Sequence, residues 1–206
     1  MRVRASGLGV ERGGRRLFAD LSFEVASGES LLVTGPNGAG KSSLLRALAG
    51  LLDFAAGAVA IEGGAEDLSL GEQAHYLGHS DAMKGALTAR ENLDFWAGML
   101  GGGARGLDAG AALEQFGLAH VLDFPVEALS AGQKRRVALA RLLVAPRPLW
   151  LLDEPTNSLD AAAQDRLKAA MATHLAAGGL IIAATHAALG LDGQRVVLGG
   201  GAVSAL

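Results

Sequence analysis

Eight consecutive residues, Gly35-Pro36-Asn37-Gly38-Ala39-Gly40-Lys41-Ser42, follow the pattern G-x-x-x-x-G-K-[ST]. Glycines at three of these positions let the backbone curl until successive amides face one anion. A helix starting here adds the partial positive charge of its amino terminus. Lys41 is then placed to reach the β- and γ-phosphates of a nucleoside triphosphate, and the Ser42 hydroxyl to ligate Mg²⁺. Ser43 counts with the loop as a phosphate-binding residue. A Gly-rich loop also matches such a pattern by accident, so its flanks matter: a buried strand must precede it and a helix must follow.

A second constellation supplies what the first lacks. Leu149-Trp150-Leu151-Leu152 is an apolar run that ends in Asp153-Glu154. Two carboxylates leaving a buried strand sit where parallel sheets bind ligands. Asp153 is suited to hold Mg²⁺, directly or through water, and Glu154 to polarise an attacking water as a general base. Alone, such a pair is usually an exposed acidic turn. Together with Gly35–Ser42 it completes a site for Mg²⁺ and ATP.

The elements that position these groups can be read from patterning. Residues 3–34 read as short strands and turns, with Gly13-Gly14 as a turn and Leu21, Phe23 and Val25 alternating as in a half-buried strand. Leu31–Thr34 is a continuous apolar run typical of a strand covered on both faces. A helix is predicted from Lys41 to Ala49, with Gly50 beyond its end, and a small edge strand at Val59–Ile61. From about residue 84 to 145 the pattern becomes helical. Thr88-Ala89-Arg90-Glu91 has capping-box spacing, Gly101-Gly102-Gly103 breaks the helix, and another runs from Ser130 until Pro146 forbids it. Alternation then returns: a strand at Leu149–Leu152, a helix over Leu159–Ala177, and strands at Leu180–Thr185 and Val196–Leu198. This order predicts an α/β fold with a mostly parallel sheet, into which the helical stretch is inserted. No internal repeat is present.

Composition narrows the classes. The chain has 206 residues, half of them hydrophobic, enough for one domain with a real core. The net charge is −3 and no long basic run occurs, so nucleic acid is not an expected partner. The absence of cysteine excludes disulfides and thiolate metal sites. No apolar leader opens the sequence and no window approaches a membrane span, so the chain is expected to be soluble by itself.

Further motifs carry a resemblance. Leu129-Ser130-Ala131-Gly132-Gln133, ahead of a Lys134-Arg135-Arg136 helix, resembles the signature motif of ABC (ATP-binding cassette) ATPases; Ser158-Leu159-Asp160 is similar to their D-loop, and His186 to their switch histidine. The five motifs stand in the family's order and cover nearly the whole chain. The resemblance implies a P-loop NTPase core (1–83 and 146–206) with a small antiparallel β part and an inserted helical signature subdomain (84–145). It also implies a head-to-tail homodimer that sandwiches two ATP molecules. Ser130, Gly132 and, more weakly, Gln133 then touch the nucleotide bound by the partner, Asp160 of the D-loop counts among the nucleotide-binding residues, and His186 holds the γ-phosphate. Lys134-Arg135-Arg136 itself reads as a solvated helix face. His75, His120 and His174 receive no role.

Three positions depart from the family pattern. Ala131 stands where the signature has Gly. His79 replaces the usual Gln of the Q-loop, where it can still bind metal or water. Arg12 replaces the aromatic residue that stacks on adenine, and its guanidinium plane can stack instead. With the stretches Glu11-Arg12…Arg16-Leu17-Phe18, Tyr76-Leu77-Gly78-His79…Glu91-Asn92-Leu93 and Pro125-Val126, they resemble one branch of the family. That branch comprises the ATP-binding subunits of bacterial cytochrome c maturation transporters. It implies integral membrane permease subunits as partners, a place on the cytoplasmic face of the inner membrane, and hydrolysis tied to haem export or delivery. A transporter ATPase for another substrate, or a non-transport cassette clamp, remains the alternative.

Overall fold

A computed structural model describes residues 1–101 and 105–199. The described chain divides into two compact units, the first made of Met1–Gly78, Pro148–Pro155 and the residues from Met171 onward, the second of His79–Arg147 and Thr156–Ala170.

The first unit holds two sheets. Strands β1 (Arg2–Arg12) and β2 (Arg15–Ala26) form a long antiparallel hairpin, and β4 (Ala56–Glu62) pairs with the other side of β1. These strands are longer than the short elements expected for residues 3–34. The hairpin closes at Gly13-Gly14, both at positive φ (58° and 74°), the combination a tight two-residue turn demands. As expected, β4 is an edge strand.

The second sheet is parallel, with order β5-β6-β7-β3-β8. Its members are β3 (Ser30–Thr34), β5 (Ala74–Leu77), β6 (Leu149–Asp153), β7 (Leu180–Ala184) and β8 (Gln194–Val197). Strands β6 and β7 are buried at every residue, which is why they read as unbroken apolar runs. Helix α1 (Lys41–Leu48) packs its Leu44, Leu45 and Leu48 into one core with Leu31, Val33, Leu151 and Ile182. Gly50, at φ 71°, donates its amide to Ala47 and ends the helix.

Strand β5 was not foreseen. Its four residues carry His75 and Tyr76, which dilute the apolar signal, yet His75 is only 2% exposed. His174 also has a structural place. Its ring stacks on Trp150 at 4.0 Å and 9°, and its Nε2 lies 3.2 Å from the Leu180 carbonyl. Burial lowers its pKa, only partly offset by bonds to the Leu180 and Pro148 carbonyls.

The second unit is helical. Helices α2 (Ala89–Met99), α3 (Ala109–Gln115) and α4 (Ala131–Val144) enclose Leu93, Leu113, Phe116 and Leu139, all fully buried. The expected capping box is present: Thr88 Oγ1 accepts the Glu91 amide, and the Glu91 carboxylate accepts the Thr88 amide. Asn92 fixes the preceding loop by accepting from Lys84 N and donating to the carbonyls of Lys84, Leu87 and Thr88. Gly102 and Gly103 of the expected helix break lie outside the described residues. Helix α5 (Ala161–Ala176) starts in the second unit and ends in the first. Among the described residues no helix is long and apolar enough to cross a membrane.

Candidate nucleotide site

Parallel strands deliver their carboxyl ends to one edge of a sheet. Strands β6, β7 and β3 are consecutive neighbours, and Asp153, Ala184 and Val33 are level in register. Asp153-Glu154, Thr185-His186 and the loop 35–40 therefore emerge side by side.

The loop's glycines are required for different reasons. Gly35, at φ 134°, leaves no room for a Cβ, which would fall on the Leu198 carbonyl. Gly40, at φ 104°, would press a Cβ to 2.9 Å from the Phe18 ring. Gly40 is also the residue that opens α1, and it gives that helix no side-chain cap, nor does the first turn contain an acidic residue. The other helices differ: Thr88, Asp108 and Ser130 cap α2, α3 and α4, and Asp160 accepts from Ala163 N at the start of α5. Helix α1 thus keeps its first-turn amides and dipole for an anion that no side chain of its own replaces. The phosphates of ATP fit this cradle.

Lys41 is 8% exposed, and its ammonium is directed by the loop itself. Nζ donates to Gly35 O (2.7 Å) and Pro36 O (3.1 Å) and lies 3.0 Å from His186 Nε2. His186 Nε2 is also 3.2 Å from Asn37 Oδ1 and 3.7 Å from Glu154 Oε1, while the His186 amide donates to Glu154 Oε2 at 3.4 Å. Three of the expected catalytic residues, Lys41, Glu154 and His186, are thereby brought together. Glu154 holds φ at 45°, a left-handed conformation that costs a non-glycine residue about 1 kcal/mol, and its amide is tied to Ala184 O at 2.8 Å.

Asp153 is 1% exposed at the end of β6. Among the described residues no cluster of three or more metal-ligating side chains exists. One carboxylate and one hydroxyl, Asp153 and Ser42, suit a hard cation that keeps most of its shell from water and phosphate oxygens. Two residues at this edge escaped the sequence reading. Tyr76 of β5 has its phenol pKa raised, chiefly by burial and then by the Asp153 carboxylate. Thr185, 2% exposed, accepts the Ala187 amide and so fixes the turn after His186. Their signal lies in register, which no local pattern reveals. Arg12 is exposed at the end of β1, opposite Arg15 across the hairpin turn.

The remaining candidates belong to the second unit. Ser130 Oγ accepts the Gln133 amide (3.3 Å) and Gln133 Oε1 accepts the Ser130 amide (2.9 Å), so Gln133 is occupied as a capping residue. Ser130 keeps its own hydroxyl proton to donate. Gly132 lies against the Ser158 carbonyl, 2.8 Å from where a Cβ would be, and Ser158 itself has φ 64°. His79 is exposed and lines a cavity of about 300 Å³ with Asp81, Lys134, Arg135 and Ser158. The basic run corrects an expectation. Lys134-Arg135-Arg136 is not a solvated face: Arg135 is 4% exposed and pairs with Asp81 at 3.1 Å. Arg136 donates to Gly132 O and Phe116 O, and Lys134 to Glu127 O. Solvation fails here because α4 is enclosed by its neighbours on most sides.

A glycine-cradled helix start, a buried lysine and an acidic strand end on one parallel sheet define a P-loop nucleotide-binding ATPase. A family model described as ABC transporter matches residues 18–157, and the chain belongs to that family. It is similar to proteins named "Cytochrome c biogenesis ATP-binding export protein CcmA". That of Nitrobacter winogradskyi is 53% identical over 202 residues, covering 98% of this chain and 100% of the relative. That of Bradyrhizobium diazoefficiens is 57% identical over 189 residues, covering 92% and 94%. A solved structure described as the ATP binding subunit of an ABC transporter superposes with TM-score 0.83 at 26% identity, covering 100% of this chain and 90% of that one.

Proposed function

We propose that this chain is the ATP-hydrolysing subunit of a membrane transporter that exports or delivers haem during cytochrome c maturation. What carries the reading is identity above 50% along nearly the whole chain with the CcmA proteins. The ATPase chemistry falls to residues 1–83 and 146–206, and residues 84–145 carry the signature segment.

Gly35–Ser43 wrap the phosphates with backbone amides, and Lys41 neutralises charge at the β- and γ-positions. Mg²⁺, bound with the nucleotide, supplies Lewis-acid stabilisation of the phosphate oxygens. Ser42 and Asp153 would hold it. Glu154 takes the proton of the attacking water as that oxygen bonds to the γ-phosphorus and ADP leaves. His186 aligns that water and the γ-phosphate. Arg12 stacks on the base. Ser130 and Gly132, with Gln133 shaping their turn and Asp160 beside them, complete the site of a second, head-to-tail copy. ATP closes that dimer and hydrolysis opens it. The chain sits on the cytoplasmic face of the bacterial inner membrane, bound to integral permease subunits.

The test is complementation with co-purification. In cells lacking this chain, holocytochrome c should fall and return with the wild type but not with Lys41→Ala. The tagged chain should bring down integral membrane proteins of haem handling. Normal holocytochrome c in the deletion strain, or capture of an unrelated permease, would refute the assignment to haem.

A further inference from the structure

His186 Nε2 faces partners that ask opposite things of it. Lys41 Nζ, at 3.0 Å, only donates, and so needs the Nε2 lone pair. Glu154 Oε1, at 3.7 Å, is an ion-pair contact whose negative charge favours a proton on Nε2. One ring nitrogen has one in-plane bonding position and meets one demand at a time. Asn37, at 3.2 Å, is the exception in this set. Its amide presents Oδ1 to an Nε2–H, and after a half-turn about its last side-chain bond it presents an N–H to an Nε2 lone pair.

We propose that Asn37 is a positioning residue that keeps His186 in place through both protonation states of Nε2. This rests on the ATPase reading above and assigns Asn37 a side-chain task beyond its share of the phosphate loop. The loop supplies the means: Asn37 is exposed, so its amide is free to turn, and it sits four residues before Lys41 on the segment whose carbonyls direct the lysine. The charged groups facing His186 are Lys41 from α1 and Glu154 after β6; Asp192 and Arg195 share the cavity lined by His186 on its other side. Lysine and glutamate pull the tautomer in opposite directions, so an amide that suits either state removes the penalty of switching.

The test reads His186 directly, in the isolated full chain without nucleotide, from the ¹⁵N chemical shifts of the imidazole, which report its tautomer. Asn37→Asp offers acceptors only, and is expected to shift the neutral ring toward the Nε2–H tautomer. Identical tautomer ratios in wild type, Asn37→Asp and Asn37→Ala would overturn the proposal. Because no nucleotide is present, that failure is separable from failure of the ATPase reading. In turnover, Asn37→Ala should lower kcat more than it raises KM for ATP. A rise in KM with kcat unchanged would mark a role in the phosphate loop alone and count against the proposal.

Discussion

Replacing Asp81 by Asn should cost the helical unit about 2–3 kcal/mol, because it removes the carboxylate paired with a buried guanidinium. Asp81 and Arg135 are 3.1 Å apart, with side chains 25% and 5% exposed. At an effective dielectric of about 20 their gross attraction is on the order of 5 kcal/mol, most of it offset by desolvation. Removing one partner from such a pair costs roughly 3–5 kcal/mol, and the partial exposure of Asp81 lets water recover some of that. The loss is aggravated by Arg141. That guanidinium is 4% exposed and lies 4.5 Å over the Trp96 ring. Its pKa is lowered to about 10 by burial; Asp81 opposes this while Arg135 adds to it. One carboxylate thus serves two buried cations. Urea unfolding should show a midpoint roughly 1 M lower, confined to the helical unit's transition if the two units unfold separately. Adding Arg135→Met to Asp81→Asn should bring stability back to within about 1 kcal/mol of wild type, since no unpaired charge then remains at that pair. A single-variant loss below about 0.5 kcal/mol would mean that the pair is worth no more than a surface bridge.

Glu154→Gln should still bind ATP but turn it over at least about 100-fold more slowly, accumulating the closed dimer in gel filtration; near-wild-type turnover would remove Glu154 as the base. Arg12→Ala should weaken ATP binding about three- to fivefold, the worth of an exposed stacking contact, and alter the ATP-to-GTP preference. Unchanged affinity and preference would remove Arg12 from the base site. The folded pKa of His174 lies below its ordinary value of 6.5 because burial disfavours the charged ring. The unfolded chain therefore binds this proton first, and stability is full above pH 6.5 and falls as the pH drops toward the folded value. His174→Gln should remove up to about 1.4 kcal/mol per pH unit of that acid slope, and an unchanged slope in a urea series would show that other groups cause it.

Elements with a single dominant period were legible in the sequence. β6 and β7 are apolar throughout because both faces are covered, and α2 announced itself through the reciprocal cap at Thr88–Glu91, whereas the matching cap of α4 at Ser130–Gln133 was hidden inside the signature motif. β5 was not legible, because four residues including His75 and Tyr76 give neither alternation nor an apolar run, and only pairing with β6 makes them a strand. The same distinction separates the site residues. Gly35–Ser42 is local, so its pattern predicts its shape. The approach of His186 to Lys41 spans 145 positions and depends on β7 lying beside β3. Lys134–Arg136 misled for the converse reason: a charge run signals solvent only when the surrounding packing leaves its face uncovered, and here Asp81 and helix carbonyls meet it instead.

Helix starts make the strongest physical argument for where the ligand lies. Every α-helix opens with amides that lack intrahelical partners, and each needs an acceptor. In this chain Thr88, Asp108, Ser130 and Asp160 provide side-chain oxygens for α2, α3, α4 and α5. Gly40 provides none for α1, at the one helix start where the strand ends carrying Asp153-Glu154 and His186 also converge. A capping oxygen at position 40 is excluded twice over, by a φ of 104° and by the Phe18 ring pressed against the place a Cβ would take. The fold therefore gives up a stabilising cap, worth about 1 kcal/mol, at the one helix where a cap would compete with a phosphate. The carboxylates of Asp153 and Glu154 stand instead at the end of β6, outside that first turn.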